Sequence, residues 1–98
     1  MTISVKISRA IDKIYRAKFY APSTLRNCKT VVIVGADKFR ELQAEAYSLM
    51  VYNFPSPRYT FQGCEVIVDY RPAYRNNATV ELRDELTGKV RRKIEIKA

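Results

Sequence analysis

The feature that most constrains this fold is the segment 29–34 (Lys-Thr-Val-Val-Ile-Val), in which five consecutive residues are β-branched. β-Branched side chains favour strands, and a strand with a continuous apolar run is typically buried on both faces. Gly35 follows directly and is expected to break the strand. The segment therefore predicts a central strand, around which most of the chain has to be arranged.

A helical pattern precedes this strand. Apolar residues over 4–20 recur at a helical spacing, and Pro22 is the expected stop. An alternative is that residues 2–8, where apolar and polar side chains alternate, form a strand. Ser8 would then cap a shorter helix over 9–20. We favour the longer helix.

A second helix is predicted over about 36–50, with Lys38, Glu41 and Glu45 on its solvent face. The two prolines within 53–58 predict a loop.

Two hairpins are predicted in the second half. Strands 58–61 and 64–69 are joined at Gln62-Gly63, and strands 79–83 and 89–96 are joined through 84–88. The last strand, with three consecutive basic residues, has the composition of a protected sheet edge. The chain is thus expected to be a single α+β domain over residues 1–98. It would have a mostly antiparallel sheet of about five strands with two helices packed on it.

The chain offers little catalytic chemistry. It has no histidine, which removes the commonest general base and a common metal ligand. Cys28 and Cys64 do not begin a zinc site, and we predict two reduced apolar thiols in preference to one disulfide bridge. Residues 31–36 lack the further glycines of a dinucleotide-binding turn. We therefore predict a protein that is not an enzyme and that holds no metal or cofactor.

The charge is strongly basic and unevenly distributed. Lys and Arg number 18 against 10 Asp and Glu, and the excess lies in residues 6–29 and 89–97. Such a surface favours an acidic partner. The first helix has one basic residue per turn on a single face, which would match a phosphate backbone or an acidic protein groove: Lys6, Arg9, Lys13 and Arg16. The alternative is that this face only keeps the chain soluble. A membrane surface is disfavoured because the opposite face has no Trp or Leu anchor.

A second candidate surface is the segment 70–77, where aromatic residues alternate with arginines: Tyr70, Arg71, Tyr74 and Arg75. Tyr and Arg are enriched at the energetic centres of protein interfaces, and they also bind single-stranded nucleic acid. Tyr59, with Tyr52 and Phe54, is expected to extend this patch from a neighbouring loop. The alternative is that these rings cover the ends of the sheet.

The order of elements carries a resemblance. Thr30-Val-Val-Ile-Val, Asp37-Lys-Phe-Arg-Glu-Leu and Tyr59-Thr-Phe-Gln-Gly-Cys-Glu-Val-Ile-Val-Asp69 follow one another. This order resembles small proteins of tailed bacteriophages and a strand, helix and hairpin of phage major capsid proteins. In that pattern a proline often follows the aspartate, whereas here Tyr70 and Arg71 precede Pro72. The resemblance implies a phage or prophage origin and assigns no functional residues.

Together these observations predict a phage-encoded protein-interaction module, either a minor virion component or a binder of a host protein, with self-assembly as a further option. The alternative is a basic nucleic-acid-binding protein. No apolar run approaches the roughly 20 residues of a membrane span. The first residues lack the layout of a signal peptide. The expected location is therefore the cytoplasm of a bacterial host or the virion, with no membrane partner.

Overall fold

The computed structural model of the chain describes residues 2–20, 27–46, 50–53 and 58–96, so Pro22 and Phe54 lie outside the described residues. Its elements, in chain order, are α1 (Ile3–Tyr20), β1 (Cys28–Gly35), α2 (Ala36–Ala46), β2 (Met50–Asn53), β3 (Arg58–Phe61), β4 (Cys64–Asp69), β5 (Ala78–Asp84) and β6 (Val90–Ile96). A single 3-10 turn, Pro72–Tyr74, lies between β4 and β5.

Within the described residues the strands form one sheet of six, in the order β2-β3-β4-β1-β5-β6. The β-branched strand β1 lies inside the sheet, as predicted. It pairs in parallel with β4 and antiparallel with β5. The remaining neighbours are all antiparallel. The predicted α+β class, with a mostly antiparallel sheet and two helices, is confirmed, and β6 is an edge strand as expected.

One face of the sheet is covered by both helices. Val32 and Val34 of β1, Ile7 of α1 and Leu42 of α2 are fully buried in one apolar cluster. Burying a Val, Leu or Ile side chain contributes about 1.5–3 kcal/mol, so this shared cluster is the main support of the layered structure.

The opposite face of the sheet carries the alternate residues of each strand and lies outside this cluster. Val31 is nevertheless fully buried there, because Glu65 and Glu81 stand directly beside it on the neighbouring strands. Ile33, two residues on, is half-buried. The prediction that β1 is buried on both faces therefore holds for Val31, but on the helix-free face it is polar side chains that bury it.

The first helix begins at Ile3, so the longer of the two predicted helices is correct and the strand over 2–8 is wrong. Ile3 and Ile7 are both buried together with Ile14. These residues share one face of the helix. The alternation of apolar and polar residues over 2–8 arises because Ile3 and Ile7 fit the spacing of a strand as well as that of a helix.

The segment between α2 and β3 differs from the prediction. The second helix ends at Ala46, and Met50, expected to be helical, begins β2, which no pattern predicted. Asn53, expected in a loop, pairs with Arg58, which begins β3 as the predicted strand over 58–61 requires, while 54–57 lie outside the described residues. Pairing with β3 accounts for the short strand β2, because a strand this short has little preference of its own.

The two predicted hairpins are confirmed. Gln62 and Gly63 both have positive φ, 51° and 77°, as a two-residue hairpin turn requires, and Gly88 has φ 73°. One detail of the second hairpin is wrong. Alternation along the last strand predicts that Val90, Ile94 and Ile96 share the inner face, but Val90 is 42% exposed, because an irregularity at Leu82/Arg83 shifts the pairing.

Cys28 and Cys64 are both buried, and neither is joined in a disulfide bridge, as predicted. The Cys64 thiol lies 3.8 Å from the carbonyl oxygen of Gln62, and burial raises the pKa of this thiol. A raised pKa lowers the fraction of reactive thiolate at neutral pH.

We expect both thiols to react with a disulfide reagent such as DTNB only when the chain opens. The measurement is the labelling rate at pH 8 in buffer and in 6 M guanidinium chloride, with Cys28→Ala and Cys64→Ala used to assign each site. Slow labelling in buffer and immediate labelling of both thiols in denaturant is the expected result. Rapid labelling of Cys64 in buffer would contradict its placement in the core.

The N-terminus of α1 is held by a side chain from the other helix. The Ser4 backbone N–H donates to Glu45 Oε1 at 2.9 Å, and the first turn of α1 contains no acidic residue of its own. This hydrogen bond is the main cause that lowers the pKa of Glu45. A carboxylate at this position complements both the unpaired N–H groups and the positive end of the helix dipole.

We therefore expect Glu45→Gln to lower the free energy of unfolding by about 0.3–1 kcal/mol at pH 7. Because the folded-state pKa is lowered, the contribution is complete above the unfolded pKa of about 4.3 and is lost as pH falls through the folded value. Urea unfolding of both proteins between pH 7 and pH 2.5 measures this difference. The matched control is Glu85→Gln in the second hairpin, and an effect of Glu45→Gln that persists undiminished at the lowest pH would refute the charge contribution.

Candidate partner-binding groove

The aromatic and arginine residues of segment 70–77 lie on a loop that is anchored through its backbone. The Gly35 N–H donates to the carbonyl oxygen of Asn77 at 2.8 Å. The Arg75 carbonyl oxygen accepts from the N–H groups of Asp37 (3.0 Å) and Lys38 (3.4 Å), the first turn of α2. The loop thus satisfies helix donors that would otherwise be unpaired.

The anchor requires a glycine at position 35. A Cβ built on Gly35 would overlap the carbonyl oxygen of Tyr74 and would lie 2.5 Å from the backbone C and O of Arg75. These neighbours are backbone atoms, which cannot rotate away as a side chain does. Gly35 therefore ends the apolar run because the loop backbone packs directly on it.

Two ion pairs hold the arginines of the loop. Arg71 Nε donates to both carboxylate oxygens of Asp69, at 2.9 and 3.1 Å, and its Nη2 donates at 2.6 Å. Arg75 Nε donates to Asp37 Oδ2 at 2.8 Å. These contacts lower the pKa of Asp69 and raise the pKa values of Arg71 and Arg75. Both arginine side chains nevertheless remain more than half exposed.

The aromatic rings stand at the surface of this fixed loop. The Arg71 guanidinium carbon lies 4.3 Å from the ring centroid of Tyr74, a cation–π contact that fixes the orientation of that ring. Tyr74 is 42% exposed and Tyr70 is 76% exposed. The loop therefore presents two tyrosines and one stacked arginine on an ordered backbone.

These side chains form the rim of a groove that opens onto the helix-free face of the sheet. The groove has a volume of about 540 Å³, and Tyr70, Arg71 and Tyr74 line one end. Ile33 and Ile67, which are half-buried cross-strand partners on β1 and β4, contribute apolar lining. The site thus combines an apolar floor with an aromatic and charged rim.

The far wall of the groove comes from β5 and β6 and is charged. Glu81 is the one charged residue buried among those described, and Arg83 Nε donates to its Oε2 at 3.3 Å. Lys93 stands opposite Glu81 across the strands and pairs with Glu95 at 3.3 Å. A buried carboxylate needs such partners, since removing an ion from water without compensation is costly. The wall therefore offers fixed charges of both signs.

The structure brings together three of the five predicted partner-binding residues and places the other two outside the groove. Tyr70, Arg71 and Tyr74 share the rim, whereas Arg75 is directed to Asp37 and serves as part of the anchor. Tyr59 lies in β3, not in a loop. It is half-buried against the core, 5.3 Å from Phe39 between ring centroids. It faces the helices because its cross-strand partner, Val66, does so.

The basic residues of α1 lie away from the groove. Arg9, Lys13 and Arg16 are exposed on the helix, while Lys6 is half-buried. Lys6 lines a small separate cleft of about 240 Å³ between the first turn of α1, α2 and the end of β6. The two predicted surfaces are therefore distinct.

Sequence reasoning missed the floor and far wall of the groove. Their signal was present as alternation: Thr79, Glu81 and Arg83 occupy every second position of β5, as Lys93 and Glu95 do in β6. These positions define the helix-free face, but only the strand order shows that they adjoin the 70–77 loop.

Among the described residues no cluster of three or more His, Cys, Asp or Glu is arranged to hold a metal ion. Neither helix, over the part of the chain that the structure describes, is long and apolar enough to cross a bilayer. No known protein family, curated protein or solved structure matches the chain.

We expect Gly35→Ala to displace the 70–77 loop and to destabilise the fold by about 1–3 kcal/mol or more, the usual cost of overpacking. Hydrogen exchange of the Asp37 and Lys38 amides reports on the loop, since both amides donate to it.

The matched control is Gly63→Ala, where an added Cβ meets nothing within 4 Å and only the positive φ is strained. We expect this variant to be destabilised as well, with protection of the two amides retained. Full protection of both amides in Gly35→Ala would show that the loop does not depend on this contact.

Proposed function

We propose that this protein is a non-enzymatic protein-interaction module that binds its partner in the groove rimmed by Tyr70, Arg71 and Tyr74. The observation that carries the proposal is an exposed Tyr-Arg surface on a loop whose backbone is fixed against Gly35. Side chains that are ordered before binding lose less conformational entropy on association, which improves affinity.

The composition of the groove supports a protein partner. Tyrosine and arginine dominate the energetic centres of protein interfaces, and here they adjoin an apolar floor at Ile33 and Ile67. The walls carry Glu81, Arg83, Lys93 and Glu95, which balance in charge. A balanced, ion-paired surface gives no net attraction for a polyanion, so it suits a partner segment that has side chains of both signs.

The resemblance of residues 30–70 to tailed-phage proteins supports a virion component or a bacterial host protein as the partner. On that basis the protein would act in the cytoplasm of an infected cell or within the particle. Both the origin and the location stay predictions.

The proposal is tested by placing the photo-crosslinking residue p-benzoylphenylalanine at position 70 in the source cells. The matched control is the same residue at Tyr15, which is 65% exposed on α1. We expect a discrete protein adduct from position 70 and no such adduct from position 15.

A second substitution tests whether the rim contributes affinity. Tyr74→Ala, combined with the crosslinker at position 70, is expected to weaken capture by about 30-fold, the equivalent of a hot spot of about 2 kcal/mol. Leu86→Ala, at the 86% exposed tip of the second hairpin, is expected to leave capture unchanged. Equal adducts from positions 70 and 15, or no adduct from position 70, would reject the groove as the interface.

A further inference from the structure

The positive charge of the chain is divided unequally between its two sides. Ion pairs engage most of the described cations of the sheet, the 70–77 loop and α2, namely Lys29, Lys38, Arg71, Arg75, Arg83, Arg91 and Lys93. None of them involves Arg9, Lys13 or Arg16. The helix α1 has five basic residues and one acidic residue, Asp12, a net charge of +4 out of +8 for the chain.

The three unpaired cations form one stripe. At 100° per residue, Arg9, Lys13 and Arg16 fall within about 60° of one another around the helix, and they span about 10 Å along it. All three are exposed, and the buried side chains of α1, such as Ile7 and Ile14, point away from them. The stripe is therefore available to a ligand without any change in the core.

A fourth cation is added by the neighbouring edge strand. Arg92 stands opposite Leu82, whose side chain is in the core, so Arg92 emerges on the side of the sheet that the helices cover. It is exposed, and its Nη1 donates only to the backbone oxygen of Arg91, which leaves the charge uncompensated. The helix α1 packs against this strand. We call Arg9, Lys13, Arg16 and Arg92 the basic face.

The basic face lacks the features of a protein-binding surface. Protein interfaces have apolar or aromatic side chains at their centre, surrounded by polar residues. Over 3–17, the part of α1 whose side chains are described, the exposed large apolar residues are Val5, which precedes the stripe, and Tyr15, which lies about 100° or more away from it around the helix. Between Arg9 and Arg16 no aromatic residue falls on this side of the helix, which also disfavours unpaired bases, because these bind by stacking.

We infer that the basic face binds the phosphate backbone of double-stranded nucleic acid, independently of the partner groove. Unpaired cations at regular spacing on a rigid helix match a regular array of phosphates, and binding releases the counterions that the phosphates condense. Contacts to the backbone alone make the binding independent of base sequence. The protein would then hold a protein partner on the sheet face and a duplex on the helix face.

The test is fluorescence anisotropy of a labelled 30-base-pair DNA of arbitrary sequence, titrated with the intact protein between 50 and 200 mM NaCl. Three to four phosphate contacts predict that log K falls against log salt with a slope of about −2.7 to −3.6. Affinity should accordingly fall by about 40- to 150-fold over this range of salt. A duplex of unrelated sequence should bind equally.

Two charge-matched variants locate the site. The triple variant Arg9→Gln/Lys13→Gln/Arg16→Gln keeps residues of similar helix propensity and should reduce the slope by about 2.7. The control, Lys29→Gln/Arg40→Gln/Lys89→Gln, removes three exposed cations that lie outside both the basic face and the groove, and it should retain most of the affinity. Circular dichroism confirms that both variants are folded.

Several results would overturn the inference. One is the lack of binding at 50 mM NaCl, and another is an equal loss in both triple variants, which would reflect net charge alone. Tighter binding to one strand of this DNA than to the duplex would exclude double-stranded nucleic acid as the preferred ligand. Equal competition by poly-glutamate at matched charge concentration would assign the face to acidic proteins. The protein groove is intact in the Arg9/Lys13/Arg16 variant, so this test is separate from that of the proposed function.

Discussion

The backbone contact between Gly35 and the Tyr74–Arg75 segment couples the central strand, the second helix and the exposed loop. On one side, the loop supplies the oxygen that satisfies the first N–H groups of α2. On the other, it fixes the positions of Tyr70, Arg71 and Tyr74 at the end of the sheet. The same few atoms therefore terminate β1, begin α2 and shape the groove, and only glycine leaves space for them.

The two faces of the molecule differ in how their charged side chains are paired. On the helix-free face, acidic and basic side chains alternate across the strands and pair with one another, as Glu81 does with Arg83. Each such pair is partly exposed and contributes little to stability by itself. These ion pairs instead fix the positions of the positive and negative charges along the groove wall. On α1, by contrast, Arg9, Lys13 and Arg16 have no such partners, and their positive charges add to one another.

The elements with strong local signals were predictable from sequence. The β-branched run at 29–34 indicated a buried strand, and the glycines at 63 and 88 indicated hairpin turns, because each feature depends on residues close together in the chain. The strand β2 and the cap that Glu45 provides for α1 were not predictable. Both depend on contacts between distant residues. Nothing in the sequence around Glu45 indicates that its carboxylate accepts a hydrogen bond from the first turn of α1. For the same reason the Tyr-Arg loop was recognisable from the sequence as a surface. The position of Tyr59 and the residues of the groove floor, by contrast, can be known only from the order of the strands.

The arrangement of β1 also shapes how the chain reaches this structure. Val31 pairs with Glu65 on one side and with Glu81 on the other, so both neighbours of the central strand are far away in the sequence. The β3–β4 and β5–β6 hairpins, by contrast, close through short turns. Local hairpins form within microseconds, whereas the loops that bring distant strands together impose an entropic cost before any contact compensates it. We therefore expect the central strand to be enclosed last, and until then its apolar run would stay open to pairing with other chains.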